Sequence, residues 1–270
     1  MTFEIIVSQG RVADRTSGAI AGAKMTAEAL IKRNGFPVTV VGTPSPPRDD
    51  TWSVALAEAV TTLKSLHAAT RDVLMRGGKP LLVLNTCGAS VATLPVIAAE
   101  HPDAVVMWID AHGDFNHPGT TWSGYLGGMV LAAGCGLWES GYGAGVDPKN
   151  VIIVGGRDID DDERKLLQEA NVTVLSPAVS TPMSIMDAIR GRNVWVHIDW
   201  DVLQPGFVPA AYSVDEGLDP QDLKAMLGAI PCSQILGIEI AEFEASGDED
   251  ADAHALAVVC EILSPLLSTT

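Results

Sequence analysis

No C-x-x-C pair occurs among the four cysteines, Cys87, Cys135, Cys232 and Cys260. A chain of this length needs no disulfide scaffold, and so few, widely spaced thiols fit a reducing compartment. Cations are scarce as well: 17 Lys and Arg stand against 34 Asp and Glu, for a formal net charge of −17. That balance speaks against non-specific nucleic-acid binding and against docking on anionic membranes, whereas a small cationic substrate would be drawn in. Long apolar runs are missing too. The stretch MVLAAGCGLW (129–138) is about half of what a bilayer span requires. The opening MTFEIIVSQG has no basic n-region and no extended apolar core, so it does not read as a secretory signal. There is no linker rich in Pro, Gly or Ser and no internal repeat, and GYGAG (141–145) follows no strand pattern that would make it a nucleotide loop. What remains is a chain with 47% apolar residues, enough for a sizeable core. The expectation is a cytoplasmic protein, one domain over 1–270, whose partner is a small-molecule substrate rather than nucleic acid or membrane.

Short β-branched runs alternate with helical patterns. The runs lie at 3–8, 37–42, 80–85, 104–110, 151–156, 172–176, 194–199 and 234–240, and the helical patterns near 16–33, 53–76, 89–100, 124–134, 161–170, 182–190, 219–228 and 251–267. Several runs are apolar throughout, as strands buried on both faces must be. The pattern predicts an α/β fold: a three-layer αβα arrangement around a mostly parallel sheet of about eight strands. In such sheets ligands bind beyond the carboxyl ends of the strands, so the polar residues that follow each strand matter most.

Four of those ends carry chemistry. MWIDAHGDFNHPG (107–119) sets Asp110, His112 and Asp114 two residues apart. In an extended segment alternate side chains share a face and can converge on a divalent cation such as Mn²⁺, Co²⁺ or Zn²⁺. A solvated loop with helix caps is the plainer alternative. HIDWDVLQPG (197–206) sets Asp199 and Asp201 two apart after another apolar run. Two carboxylates there repel unless a cation sits between them. The plainer reading is a pair of turn residues, but a second Asp pair at the same sheet level favours metal. A donor set of this size suits a two-metal site. Cys87, in NTCGAS, follows a third strand and reads either as a packed thiol or as a thiolate ligand. Glu242, in GIEIAEFEA, follows a fourth, where it would hold a cationic group or simply join the surface charge of Glu239 and Glu244. His197 precedes the second Asp motif and would orient Asp199.

From about residue 80 to 245 these motifs resemble the arginase, or ureohydrolase, family: HPDAVVMWIDAHGDFN is similar to its central motif and DWDVLQPGFVPA to its second metal motif. The resemblance implies two Mn²⁺ ions per chain bridged by Asp110 and Asp199. Asp114 and Cys87 would complete the first, and His112 and Asp201 the second. A metal-bridging hydroxide would attack a guanidinium carbon, with Asp114 bonded to the hydroxide and Glu242 holding the guanidinium group. Asp114 and Glu242 are thus the expected catalytic pair. Asp158, Asp160 and Glu163 match the segment that contacts a substrate α-amino group, although acidic residues also favour a helix N-terminus. Asn116, Thr121 and Ser123 match the α-carboxylate contacts, and Ser213 matches a hydroxyl near the guanidinium group. A homo-oligomer is also common in that family.

Two positions depart from the family pattern. A His is usual where this chain has Cys87, and a thiolate there would weaken or reselect the first metal and expose the site to oxidation. Arginases also have a proton-shuttling His where SGYLGGM places Gly127. Losing such a group removes a contribution of order 10²–10⁴ in rate. Both departures, with IVSQGRVADR and DDTWSVAL, resemble one branch of the family. That branch hydrolyses Nω-hydroxy-L-arginine to hydroxyurea and L-ornithine in D-cycloserine biosynthesis. A hydroxyguanidine is less basic than a guanidine and relaxes the need for the missing His. Other ureohydrolase substrates (arginine, agmatine, guanidino acids, formimidoylglutamate) and a non-catalytic amino-acid binder are the alternatives.

Overall fold

The computed structural model describes residues 3–267. Eight strands, β1 (Phe3–Ser8), β2 (Val38–Val41), β3 (Lys79–Val83), β4 (Val105–Ile109), β5 (Val151–Val154), β6 (Thr173–Leu175), β7 (Val194–Asp199) and β8 (Ile235–Ala241), form one sheet. Its order is β2-β1-β3-β8-β7-β4-β5-β6, and every neighbouring pair is parallel. Helices cover both faces. On one lie α1 (Ala19–Asn34), α7 (Pro182–Ile189), α8 (Pro220–Ala229) and α9 (Glu249–Leu267), packed on Val105, Met107, Val196 and Ile198. On the other lie α2 (Trp52–Glu58), α3 (Val60–Met75), α4 (Leu94–Glu100), α5 (Val130–Gly134) and α6 (Asp161–Ala170), packed on Leu82, Val106, Ile153 and Trp195. Central strands therefore bury both faces, which is why their sequences show runs rather than alternation.

Three helical expectations change. The pattern over 53–76 is two helices that meet at Ala59. The pattern over 89–100 begins as a 3₁₀ turn, Cys87–Val91, and becomes α-helical only at Leu94. Pro95 lacks an N–H, so it fits the first turn of α4, where no intrahelical hydrogen bond is lost, better than the middle of a longer helix. Over 124–134 only Val130–Gly134 is α-helical, because Gly124 takes φ +60° and two more glycines, Gly127 and Gly128, follow.

The four strands whose ends carry Cys87, Glu242, Asp199 and Asp110 are β3, β8, β7 and β4, adjacent and central in the sheet. The strand order thus gathers residues up to 155 positions apart. No helix among the described residues is long and apolar enough to cross a membrane.

Candidate active site

β4 ends at Ile109, and the chain turns at once: Asp110 Oδ1 accepts the N–H of His112 at 2.7 Å. Asp114 takes a left-handed backbone, φ +48°. The three residues converge through this turn, not through the strand alternation expected. Asp199 closes the same kind of turn after β7, its Oδ1 accepting the N–H of Asp201 at 2.8 Å. Asp201 in turn accepts the Ala111 N–H at 3.1 Å, which ties the two Asp loops together. His112 Nδ1 bridges them, 2.9 Å from Asp201 Oδ2 and 3.4 Å from Asp110 Oδ1. Donor atoms of Asp110, His112 and Asp201 lie within 4.8 Å of one another, as do those of Cys87, Asp199 and Glu242.

Cys87 is wholly buried, with Sγ 3.1 Å from Asp199 Oδ2. Its backbone N–H donates to Glu242 Oε1 at 3.0 Å. Glu242 also has a left-handed backbone, φ +63°, uncommon for a long side chain. That turn ends β8 and sets the carboxylate against Cys87. Trp108 Nε1 donates to Asp110 Oδ2 at 3.0 Å. His197 does not orient Asp199 as its place in the sequence suggested: its Nε2 faces Cys87 Sγ at 3.2 Å and its Nδ1 faces Glu239 at 2.9 Å. Glu239 is fully buried, not surface charge.

So many carboxylates in one place disturb their own ionisation. Burial, then the charge of neighbours such as Asp110 and Asp201, holds Asp114 and Asp199 well above the usual carboxylate range. Burial likewise lifts Asp201, again with Asp110 adding to it, and pushes Glu242 up to about 8 and Glu163 up to about 7. Burial works against a charged His112, yet its bonds to Asp110 and Asp201 more than offset this and draw the imidazole far up. Burial and the surrounding carboxylates, Asp199 first, also raise the Cys87 thiol. Without a cation this cluster holds surplus negative charge, and Asp114 Oδ2 is buried with no hydrogen-bond partner. Oxygen, imidazole and sulfur donors that repel one another and leave an orphaned carboxylate oxygen fit divalent cations.

A cavity of about 380 Å³ opens above the cluster. Its wall includes Cys87, His112, Asp114, Asn116, Ser123, Asp158, Asp160, Glu163, Asp199, Asp201, Ser213 and Glu242. Asp110 is not in the wall; it is fully buried, with its Oδ1 accepting the His112 N–H. Thr121 is not in the wall; its Oγ1 accepts the Gly124 N–H and holds the turn. Asp160 and Glu163 have structural duties as well. Asp160 Oδ1 caps α6 and its Oδ2 accepts from Asn116, while Glu163 accepts the N–H of Phe115 at 2.7 Å.

The wall also holds Arg15, Trp122, Tyr125 and Tyr212. Arg15 and Tyr212 were not singled out from the sequence. Arg15 follows β1, so the strand-end rule could have found it. Its guanidinium donates to the carbonyl of Ser123 and lies 5.0 Å from the centre of the Tyr125 ring. Tyr212 sits in a long loop with no such signal. Tyr125 fills the space beside Gly127: a Cβ at 127 would stand 2.3 Å from its Cε1. The side chain missing at Gly127 is thus replaced in space by a phenol.

Fold and cluster together define an αβα protein with a carboxylate-rich centre, suited to divalent metal, beyond the ends of a parallel sheet. The chain belongs to the arginase family, whose sequence profile matches residues 16–265. It is 49% identical over 263 residues to the N(omega)-hydroxy-L-arginine amidinohydrolase of Streptomyces lavendulae, covering 97% of this chain and 96% of that protein. The crystal structure of Bacillus subtilis arginase superposes with a TM-score of 0.85 at 23% identity, covering 100% of this chain and 99% of that one. The proclavaminate amidino hydrolase of Streptomyces clavuligerus gives 0.72 at 19%, covering 98% and 90%. These two show the shared fold.

Proposed function

We propose that this protein is a metal-dependent amidinohydrolase that converts Nω-hydroxy-L-arginine and water to hydroxyurea and L-ornithine. The observation that carries this reading is the 49% identity, over nearly the whole of both chains, with an enzyme of that name. The cavity supports it: its wall combines the acidic cluster with Asn116, Ser123, Asp158, Asp160 and Glu163, polar groups suited to an amino-acid head.

Asp110, His112 and Asp201 would hold one Mn²⁺, and Cys87, Asp114 and Asp199 a second, with Asp110 and Asp199 shared between them. When bound, the two cations supply Lewis-acid charge and lower the pKa of water enough to furnish a nucleophile at neutral pH. The chain's own residues do the rest. Glu242 accepts an N–H of the guanidino group and turns its carbon toward the cluster. Asp114, the orphaned carboxylate, accepts a proton from the attacking water. A C–O bond forms at the guanidino carbon, the C–N bond to the ornithine δ-nitrogen breaks, and that nitrogen takes up the proton.

The test is a substrate panel on the Mn²⁺-loaded protein, with metal content measured on the same sample and released hydroxyurea separated from urea. Hydroxyurea release at the highest kcat/KM of the panel supports the reading. A kcat/KM for L-arginine equal to or above that for Nω-hydroxy-L-arginine sinks it.

A further inference from the structure

Glu242 Oε1 already accepts two hydrogen bonds, from the Cys87 N–H at 3.0 Å and from the Tyr125 hydroxyl at 3.1 Å. An sp² carboxylate oxygen has two lone-pair directions, so Oε1 is filled. Only Oε2 remains for a ligand, and a guanidino group cannot grip both oxygens in the two-pronged way open to a free carboxylate. The phenol changes what stands beside Oε2. Its proton is committed to Glu242, so its oxygen is left with lone pairs and acts toward a ligand as an acceptor. Burial, then the negative charge of Glu242, keeps the phenol well above its ordinary pKa, so it stays protonated and the arrangement holds.

The ring cannot turn away. It packs against Tyr212 with centroids 5.2 Å apart, and Arg15 lies over it. On the remaining side it occupies the space that any Cβ at residue 127 would need, with Cε1 at 2.3 Å and Cδ1 and Cζ at 3.0 Å from that position. Gly127 and Tyr125 are therefore a matched pair: the glycine exists as room for the phenol.

We propose that Tyr125 is the specificity residue of this site, its phenol oxygen accepting the O–H of the N-hydroxyguanidine while Glu242 Oε2 accepts a neighbouring N–H. This deepens the proposed function and rests on Glu242 holding the guanidino end. A hydroxyguanidine carries an O–H in place of one guanidine N–H, which moves that donor one atom further out, and a fixed acceptor rewards the substrate that reaches it. Sites built to bond a substrate hydroxyl discriminate strongly against the analogue that lacks it.

The experiment compares kcat/KM for Nω-hydroxy-L-arginine and L-arginine in the Mn²⁺-loaded wild type, Tyr125→Phe and Gly127→Ala. Tyr125→Phe removes one oxygen and keeps the ring packing; Gly127→Ala keeps the oxygen and displaces the ring. The expected result is a fall of about 10–100-fold in the hydroxyarginine-to-arginine ratio in both variants, with thermal unfolding of Tyr125→Phe close to wild type. A ratio that does not move in Tyr125→Phe overturns the proposal, as does an equal loss on both substrates, which would make the phenol only a brace for Glu242. A wild type that prefers L-arginine removes the substrate reading itself, and this proposal with it. A wild type that prefers hydroxyarginine with an unmoved variant ratio removes this proposal alone.

Discussion

Cys87 Sγ lies 3.2 Å from His197 Nε2, and the other nitrogen of that ring lies 2.9 Å from Glu239 Oε2. The three residues form a thiol–imidazole–carboxylate chain, fully buried beneath the acidic cluster. Its foundation is the sheet register, which sets Trp108 beside His197 and His197 beside Glu239 on neighbouring strands. Trp108 stacks on the imidazole with centroids 3.5 Å apart, and the hydroxyls of Ser90 and Thr93 donate to Glu239. A carboxylate behind an imidazole fixes the ring, and here the ring fixes the thiol.

That chain predicts a stability effect separable from catalysis. His197→Phe keeps the stack on Trp108 but leaves Glu239 buried with hydroxyl partners only. Leaving one member of a buried hydrogen-bonded pair without its partner costs about 1–3 kcal/mol, whereas replacing both with apolar groups of similar shape is close to neutral. Urea unfolding of the metal-free protein should show that loss for His197→Phe. The double variant His197→Phe/Glu239→Leu should regain at least half of it. A cost below about 1 kcal/mol in the single variant would mean the pair is not a structural unit.

The raised carboxylates predict how metal-free stability depends on pH. Glu163 and Glu242, with ordinary values near 4.5, sit at about 7 and about 8 in the fold. Between those limits the folded protein binds more protons than the unfolded chain, so stability falls as pH rises. The contribution is complete below about pH 4.5 and is lost as pH climbs through 7 and 8. His112, drawn up from 6.5, acts in the same direction. Metal-free unfolding midpoints should therefore decline from pH 5 to pH 8. Saturating Mn²⁺, which takes the place of the protons, should flatten or reverse the trend. A metal-free midpoint that rises across this interval contradicts the electrostatics described.

The eight strands were legible because central strands buried on both faces must be written as short apolar, β-branched runs. The metal-type cluster was legible because two Asp pairs follow separate apolar runs and so stand at the same level of one parallel sheet, where strand ends converge. Other features lay outside local pattern. Asp114 reaches the cluster by a left-handed turn, which strand periodicity does not encode. Arg15 and Tyr212 meet Tyr125 from loops about 110 and 87 positions away, on the order of the separations that only a folded sheet can close. Thr121 matched by position but spends its hydroxyl on its own turn. Glu239 read as surface charge because its partner, His197, lies on the neighbouring strand rather than nearby in sequence.

Asp201 joins the two Asp loops and holds His112, so Asp201→Asn tests the cluster directly. The amide lacks the charge that balances the imidazole and a cation. Activity on the preferred substrate should fall by about 10²–10⁴-fold at fixed Mn²⁺, and tightly bound Mn²⁺ should drop toward one per chain. Elemental analysis after gel filtration measures the second quantity. Retention of full metal content with unchanged kcat would remove Asp201 from the site.

The family resemblance suggests a simple conversion, Gly127→His, to gain L-arginine hydrolysis, and the geometry predicts that this fails. Any Cβ at 127 would stand 2.3 Å from Cε1 of Tyr125, closer than side chains approach, and Tyr212 and Arg15 hold that ring on its other sides. An imidazole at 127 must either expel the phenol, breaking its bond to Glu242, or distort the turn that carries Asn116 and Ser123. Overpacking of this kind costs about 1–3 kcal/mol. The single variant should therefore be less stable and gain no L-arginine turnover. Gly127→His combined with Tyr125→Ala, which vacates the space, should recover the lost stability and raise the arginine-to-hydroxyarginine ratio above that of either single variant. Thermal unfolding and paired kcat/KM measurements decide the matter: a gain of L-arginine activity in the single variant would show that Tyr125 does not occupy the place the structure gives it.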